Sequence, residues 1–247
     1  MFFSNPIFAQ NSFLNNLKSA AGFGVLSGHD ITLDTVNTVL GWIGAVNQTI
    51  IHPDSSNPSF QMANSNQVNQ ALQSFNEVFV ELKTQQGVIL TSNNLSGLTL
   101  NPGTYHIPGG LMLPTGDSLT LFGNPDDVFI FDVTGDIDFG NNSTINLQGV
   151  NPSNIFWTST NNISIGAHST FLGNLMALGN ISFSTQVLGT YATFANGNIQ
   201  IVRSNDVVAP ALYDNGGGGP GIIGKWDLLA MQAQQMPIFL APLMNNN

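Results

Sequence analysis

The sequence predicts an all-β fold, a β-solenoid with one long α-helix packed alongside. Three observations carry this reading. The triplet Leu111-Met112-Leu113 recurs 26 residues later as Ile137-Asp138-Phe139 and after 26 more as Ile163-Ser164-Ile165. It then recurs at intervals of 18 as Ile181-Ser182-Phe183 and Ile199-Gln200-Ile201. A second apolar column, Leu119, Ile145 and Phe171, keeps the spacing of 26. Residues 66–85 carry a stripe with the period of a helix. Copies of one apolar face at coil-length spacing mark stacked rungs that bury the same side.

The elements follow in chain order. Residues 1–20 are polar and Asn-rich with scattered Phe and Leu, and read as an N-terminal arm. Phe23-Gly-Val-Leu-Ser27 and Thr38-Val-Leu-Gly-Trp-Ile-Gly-Ala45 read as irregular strands, with Gly where a bulge or close backbone approach is expected. In the helix, Val68, Leu72, Phe75, Val78, Phe79 and Leu82 fall mostly at steps of three and four and form one apolar stripe. Asn64 or Ser65 is placed to cap it. A helix of about 20 residues is roughly 30 Å long. That length runs along several rungs stacked about 4.8 Å apart, so the stripe is expected to cover one flank of the solenoid.

Residues 88–201 hold the repeat, and Asn101-Pro102-Gly103 is a turn signal. The two longer rungs carry matching turns, Gly123-Asn-Pro-Asp-Asp127 and Gly149-Val-Asn-Pro-Ser153, which the shorter rungs lack. The chain then leaves the repeat. The expected organisation is an arm at 1–20, a solenoid at 21–203, and a Gly-rich linker with an apolar tail at 204–247. In the tail, Trp226, Leu228, Leu229, Ile238, Phe239 and Leu240 call for a docking site and are candidates for assembly with another subunit.

Composition narrows the function. Charged residues are only 7% of the chain, against about 25% in ordinary globular domains. Net charge is −10, with Lys18, Lys83, Arg203 and Lys225 the positive side chains. Nucleic acid is not an expected partner, because phosphate neutralisation needs clustered Lys and Arg. The absence of cysteine removes thiolate metal sites and a thiol nucleophile. His29, His52, His106 and His168 are scattered, and no Gly-x-Ser-x-Gly elbow is present. No catalytic residue, metal site or cofactor is therefore expected. No apolar run approaches the roughly 18 residues of a membrane span. The opening MFFSNPIFAQ lacks the basic region of a secretory signal. An extracellular, surface or particle-associated location remains the expectation.

Several motifs carry a family resemblance. Leu98-Thr-Leu-Asn-Pro-Gly-Thr-Tyr105, Val128-Phe-Ile-Phe131, Asn154-Ile-Phe-Trp157 and Phe171-Leu-Gly-Asn-Leu-Met-Ala177 resemble successive signatures of the ice-binding-protein-like, or antifreeze, β-solenoid family. Phe23-Gly-Val-Leu-Ser-Gly-His-Asp-Ile-Thr32 is similar to its opening strand. The match covers about residues 21–203. It implies a right-handed, discontinuous solenoid of roughly triangular section, with the helix along one side. It also implies ice binding through a flat face, often bearing Thr-Ala/Gly-x-Thr/Asn. This chain has only near copies of that motif, at Thr115-Gly-Asp-Ser118, Thr134-Gly-Asp-Ile137 and Thr190-Tyr-Ala-Thr193.

Alternation along the strands points candidate residues outward. Beside the buried triplets these are the columns Asp136, Asn162, Asn180, Asn198 and Asp138, Ser164, Ser182, Gln200. The second repeat presents Ser118, Thr120, Thr144, Asn146 and Thr170, the expected ice or surface contacts, because stiff Thr side chains hold methyls and hydroxyls at regular spacing. Stacked Asn residues also stabilise solenoid turns. Asp126, Asp127, Asp132, Asp136 and Asp138 read as solvated turn and edge charges. Phe129, Phe131, Phe156, Trp157 and Phe183 read as core. The function expected is non-enzymatic binding of ice or another extended surface. The alternative is a structural or adhesive subunit of a surface layer, appendage or particle, forming a homo-oligomer through its terminal arms.

Overall fold

The computed structural model describes residues 17–34, 38–52, 61–62, 64–190, 192–202 and 206–208. The alternating apolar triplets form strands that stack in parallel, one rung above the next. Three sheets result, of nine, seven and seven strands, here called A, B and C. A full rung is a strand of A, such as Phe129–Val133, then one of B, Ile137–Phe139, then one of C, Thr144–Gln148. Register is kept residue for residue: Ile137 pairs with Ile163, Ile163 with Ile181 and Ile181 with Ile199. The companion column Phe139, Ile165, Phe183, Ile201 does the same, and both columns lie in one continuous core.

The first strands of the chain close the stack beyond its last repeat. Phe23–Ser27 pairs with Thr193–Ala195, Ile31–Asp34 with Ile199–Val202, and Thr38–Leu40 with Asp206–Val208. The solenoid is therefore discontinuous in sequence. Asp206–Val208 also carries sheet C past residue 203. The register of Phe23–Ser27 against Trp42–Ala45 shifts between Phe23 and Val25. Gly41, at φ +110°, sits against this irregularity, where a Cβ would come within 2.7 Å of the Gly24 nitrogen.

The two periods differ mainly at the corner between sheets C and A. In the long rung, residues 123–128 connect Ser118–Phe122 to Phe129–Val133. In the short rung Gly173 alone joins Thr170–Leu172 to Asn174–Ala177. That tight corner needs φ +116°, and a Cβ there would lie 2.9 Å from Ile155 Cβ. Inside the long rungs, Tyr105, Phe131 and Trp157 stack with centroids 5.5 and 3.9 Å apart. The Trp157 indole N–H donates to the Leu172 carbonyl at 3.0 Å, so its polar edge is satisfied in the core. Phe129 and Phe183 share this core. Phe156 is also buried, but on the outer side of sheet A beneath the helix.

The helix runs Ser65–Lys83. Asn64 caps it: its side chain accepts from Gln67 N at 3.0 Å while Gln67 Oε1 accepts from Asn64 N at 2.9 Å. This is the reciprocal capping box. Val68, Ala71, Phe75, Val78, Phe79 and Leu82 are buried with Leu26, Ile130, Phe156, Met176 and Phe194 of sheet A. Leu72, expected to be buried with them, is only partly so, because it lies at the margin of the stripe. Leu17 and Ala20 complete this layer. Gly44 allows the close approach, since a Cβ would meet Val68 Cγ2 at 2.6 Å.

At the other end of the helix, Lys83 pairs with Asp132, whose second oxygen lies 2.9 Å from His106 Nδ1. Asp132 is thus not a solvated edge charge: only 7% of it is exposed. The outward side of sheet A is covered by the helix, so a carboxylate there must be paired.

Two outcomes test this layer. Phe75→Ala, at a site with no exposed surface, should cost about 3–5 kcal/mol of stability in urea unfolding. Asp132→Ala should cost about 1.5–3 kcal/mol by the same measurement, because Lys83 and His106 lose their shared acceptor.

Candidate binding faces

The helix occupies the outer side of sheet A, which leaves the outer sides of B and C among the described elements. On sheet C the five candidates come together. Ser118, Thr144 and Thr170 form one cross-strand ladder, and Thr120 and Asn146 a second. Thr99 extends the second ladder by pairing with Thr120. It lies outside the repeated column, so spacing alone did not single it out. The alternating residues Leu119, Leu121, Ile145 and Phe171 point into the core. This face also carries Phe122 and Leu188, which are 53% and 61% exposed. Leu188 continues the hydroxyl ladder directly after Thr170.

Sheet B is narrower and more uniform. Each repeat strand presents one outward residue between two buried ones, as in Ile163–Ile165 and Ile181–Phe183. The resulting column is Met112, Asp138, Ser164, Ser182, Gln200 and Thr32. Thr32 joins it only because the N-terminal strand stacks on the last repeat. Its link to Gln200 spans most of the chain and leaves no local signal.

The Asp/Asn column borders this face and is a hydrogen-bonded ladder. Asp136 Oδ1 accepts from Asn162 N at 3.0 Å, Asn162 Oδ1 from Asn180 N at 2.9 Å, and Asn180 Oδ1 from Asn198 N at 2.8 Å. Asn198 Oδ1 accepts from Asp30 N at 3.1 Å, and Asp30 Oδ1 from Gln48 N at 3.2 Å. Each side chain thus satisfies the turn of the next rung and is held in one orientation. Across the sheet, the turns toward C repeat a left-handed residue at Gly116, Asn142, His168 and Gln186, so this border is regular too.

The acidic residues do not converge on one point. Asp126 is exposed, Asp127 accepts from Asn124 N at 2.7 Å within its own turn, and Asp138 stands exposed on sheet B. Tyr105 is half-buried; burial raises its phenol above the ordinary tyrosine range, and its OH donates to the Asn101 carbonyl at 2.6 Å. The assembly candidates Trp226, Leu228, Leu229, Ile238, Phe239 and Leu240 lie outside the described residues.

Known proteins share this architecture and its sequence pattern. An ice-binding protein of Flavobacterium frigoris is 27% identical over 193 residues, covering 70% of this chain and 68% of the relative. One from Nostoc is 26% identical over 192 residues, with 72% and 68% covered. Among solved structures, an ice-binding protein from an Antarctic biological consortium matches with a TM-score of 0.69 at 23% identity, covering 85% of this chain and 94% of that one. An ice-binding protein from Antarctomyces psychrotrophicus matches with a TM-score of 0.63 at 21% identity, covering 77% and 97%. The Ice-binding-like family model matches residues 14–207. With that match across most of its length, and with the three-sheet stack and flanking helix in place, the chain belongs to the ice-binding-like family.

Proposed function

We propose that this chain binds ice by adsorption, without covalent chemistry, through the outer face of sheet B. The observation that carries this is the regularity of that face. Ser164, Ser182, Gln200 and Thr32 follow one another at the rung spacing, about 4.8 Å, in strands paired residue for residue. The adjoining amides of Asn162, Asn180 and Asn198 are already fixed by their ladder. A surface whose groups are held before contact loses little side-chain entropy when it orders water against itself. The names of the relatives support adsorption over the assembled-subunit alternative. Ice forms outside cells, so this reading places the protein in extracellular fluid or at a cell surface.

A second reading assigns ice to sheet C through Ser118, Thr120, Thr144, Asn146 and Thr170. Its support is the hydroxyl ladder running from Ser118 through Thr144 to Thr170. Tyrosine substitutions separate the two. Ser164→Tyr and Ser182→Tyr should abolish thermal hysteresis and ice-plane affinity while the melting curve stays that of the parent. Thr144→Tyr and Thr170→Tyr should leave ice activity intact. The reverse pattern assigns ice to sheet C, and an unmodified protein that neither shapes ice nor shows hysteresis removes the ice reading altogether.

A further inference from the structure

We propose that two copies of this chain associate end to end, through the end of the stack that lies opposite the N-terminal strands. Among the described elements nothing lies beyond that end. Sheet A stops there at Val88–Ile89 and sheet C at Thr99–Leu100, while between them Asn94 bridges to Met112 of the terminal strand of sheet B. The inward column Trp157, Phe131, Tyr105 continues to Val88. Trp157 and Phe131 have no exposed surface, whereas Val88 is 59% exposed and its neighbour Ile89 68%. Leu90, Leu98 and Leu100 of the same rung pack against the core yet are only partly buried. Among the described residues the apolar core thus reaches this end without a cover, over side chains of one continuous rung. Elsewhere on the described surface the large exposed apolar residues stand singly in sequence.

The strand edge is open as well. Leu90 N donates to the His106 carbonyl at 2.9 Å. Bonding direction alternates along a strand, so Ile89 turns its own N–H and C=O away from the stack. Such an edge pairs with another strand unless charge, proline or a bulge blunts it. Residues 84–101 contain no charged residue and no proline. That composition also selects the occupant. With a net charge of −10, two copies repel wherever their surfaces carry Asp and Glu, and at the uncharged rung they meet without that cost. A second copy brings the same edge. Run antiparallel across a two-fold axis, Ile89 of each copy donates to and accepts from Ile89 of the other, which satisfies both groups. The rung 84–101 has 18 residues, a little under the 20–30 or so per side of a stable interface. The dimer is therefore expected to be weak and concentration-dependent. It leaves the outer faces of sheets B and C open, and the inference does not rest on ice binding.

Sedimentation velocity of the full-length protein, over rising concentration at physiological salt, tests this. A monomer–dimer equilibrium should appear. Ile89→Lys and Ile89→Glu should each weaken it about tenfold or more, because like charges then face one another across the axis. An equimolar mixture of the two variants should restore dimers, each of one Lys and one Glu chain. Val80→Lys, on the exposed side of the helix, should leave association unchanged. Ile89 and Val80 are both solvent-exposed, so each variant should keep the parent's melting curve. A protein that stays monomeric throughout overturns the proposal. Association that neither Ile89 variant weakens, or that Val80→Lys weakens equally, places the contact elsewhere and overturns it too. Growth beyond two copies, or a mixture of variants that does not recover, refutes the two-fold pairing.

Discussion

The structure depends on one constraint: parallel strands of successive rungs must stay in register. Backbone N–H and C=O groups of the inner strands bond to the rungs above and below, and a slip of one residue would turn a whole column from the core to solvent. The apolar-x-apolar triplet enforces the register. Ile137, Ile163, Ile181 and Ile199 stack in a register that a slip of one residue would break by burying Asp138, Ser164, Ser182 or Gln200 instead. The side-chain ladder from Asp136 to Gln48 repeats the same alignment outside the core. Inner packing and outer hydrogen bonds thus specify one stack, and loops of different length are tolerated between them.

That constraint divides the labour among the three sheets. Sheet A carries large apolar groups outward as well as inward, Phe156, Met176 and Phe194 among them, and so requires the helix. Asp132 shows the consequence for polar groups: once the helix covers that side, a carboxylate persists only with Lys83 and His106 as partners. Sheet B presents one outward residue per repeat strand, polar in each except Met112, and no described element covers it. Sheet C mixes hydroxyls with Leu188 and Phe122. The same rung architecture therefore yields a covered face, a regular polar face and a mixed one, according to the outward residues alone.

Much of this was legible in the chain. The rung register, the core columns and the helical stripe each rest on periodicity, and the structure places them where the spacing does. The matching turns of the long rungs were legible for the same reason, whereas the tight corner at Gly173 was not singled out. The pairing of Asp132 was not, because its covering partner lies 49 residues earlier in the chain and no local pattern links them. Leu72 shows the limit of stripe arguments: it belongs to the stripe by spacing, yet at the stripe's margin it is only partly buried.

By itself, the sequence determined which residues face inward, how many residues each rung consumes, where the helix begins and which family the motifs resemble. These follow from alternation, spacing and local turn chemistry, all of which act over a few residues. Only the tertiary structure decided that the first strands lie beyond the last repeat, so that Thr32 extends the column of Gln200. Only there did Thr99 join Thr120 and Leu188 follow Thr170 on an open face. Those neighbours meet through stacking between distant segments, and periodicity within one segment carries no information about which segment comes next in space.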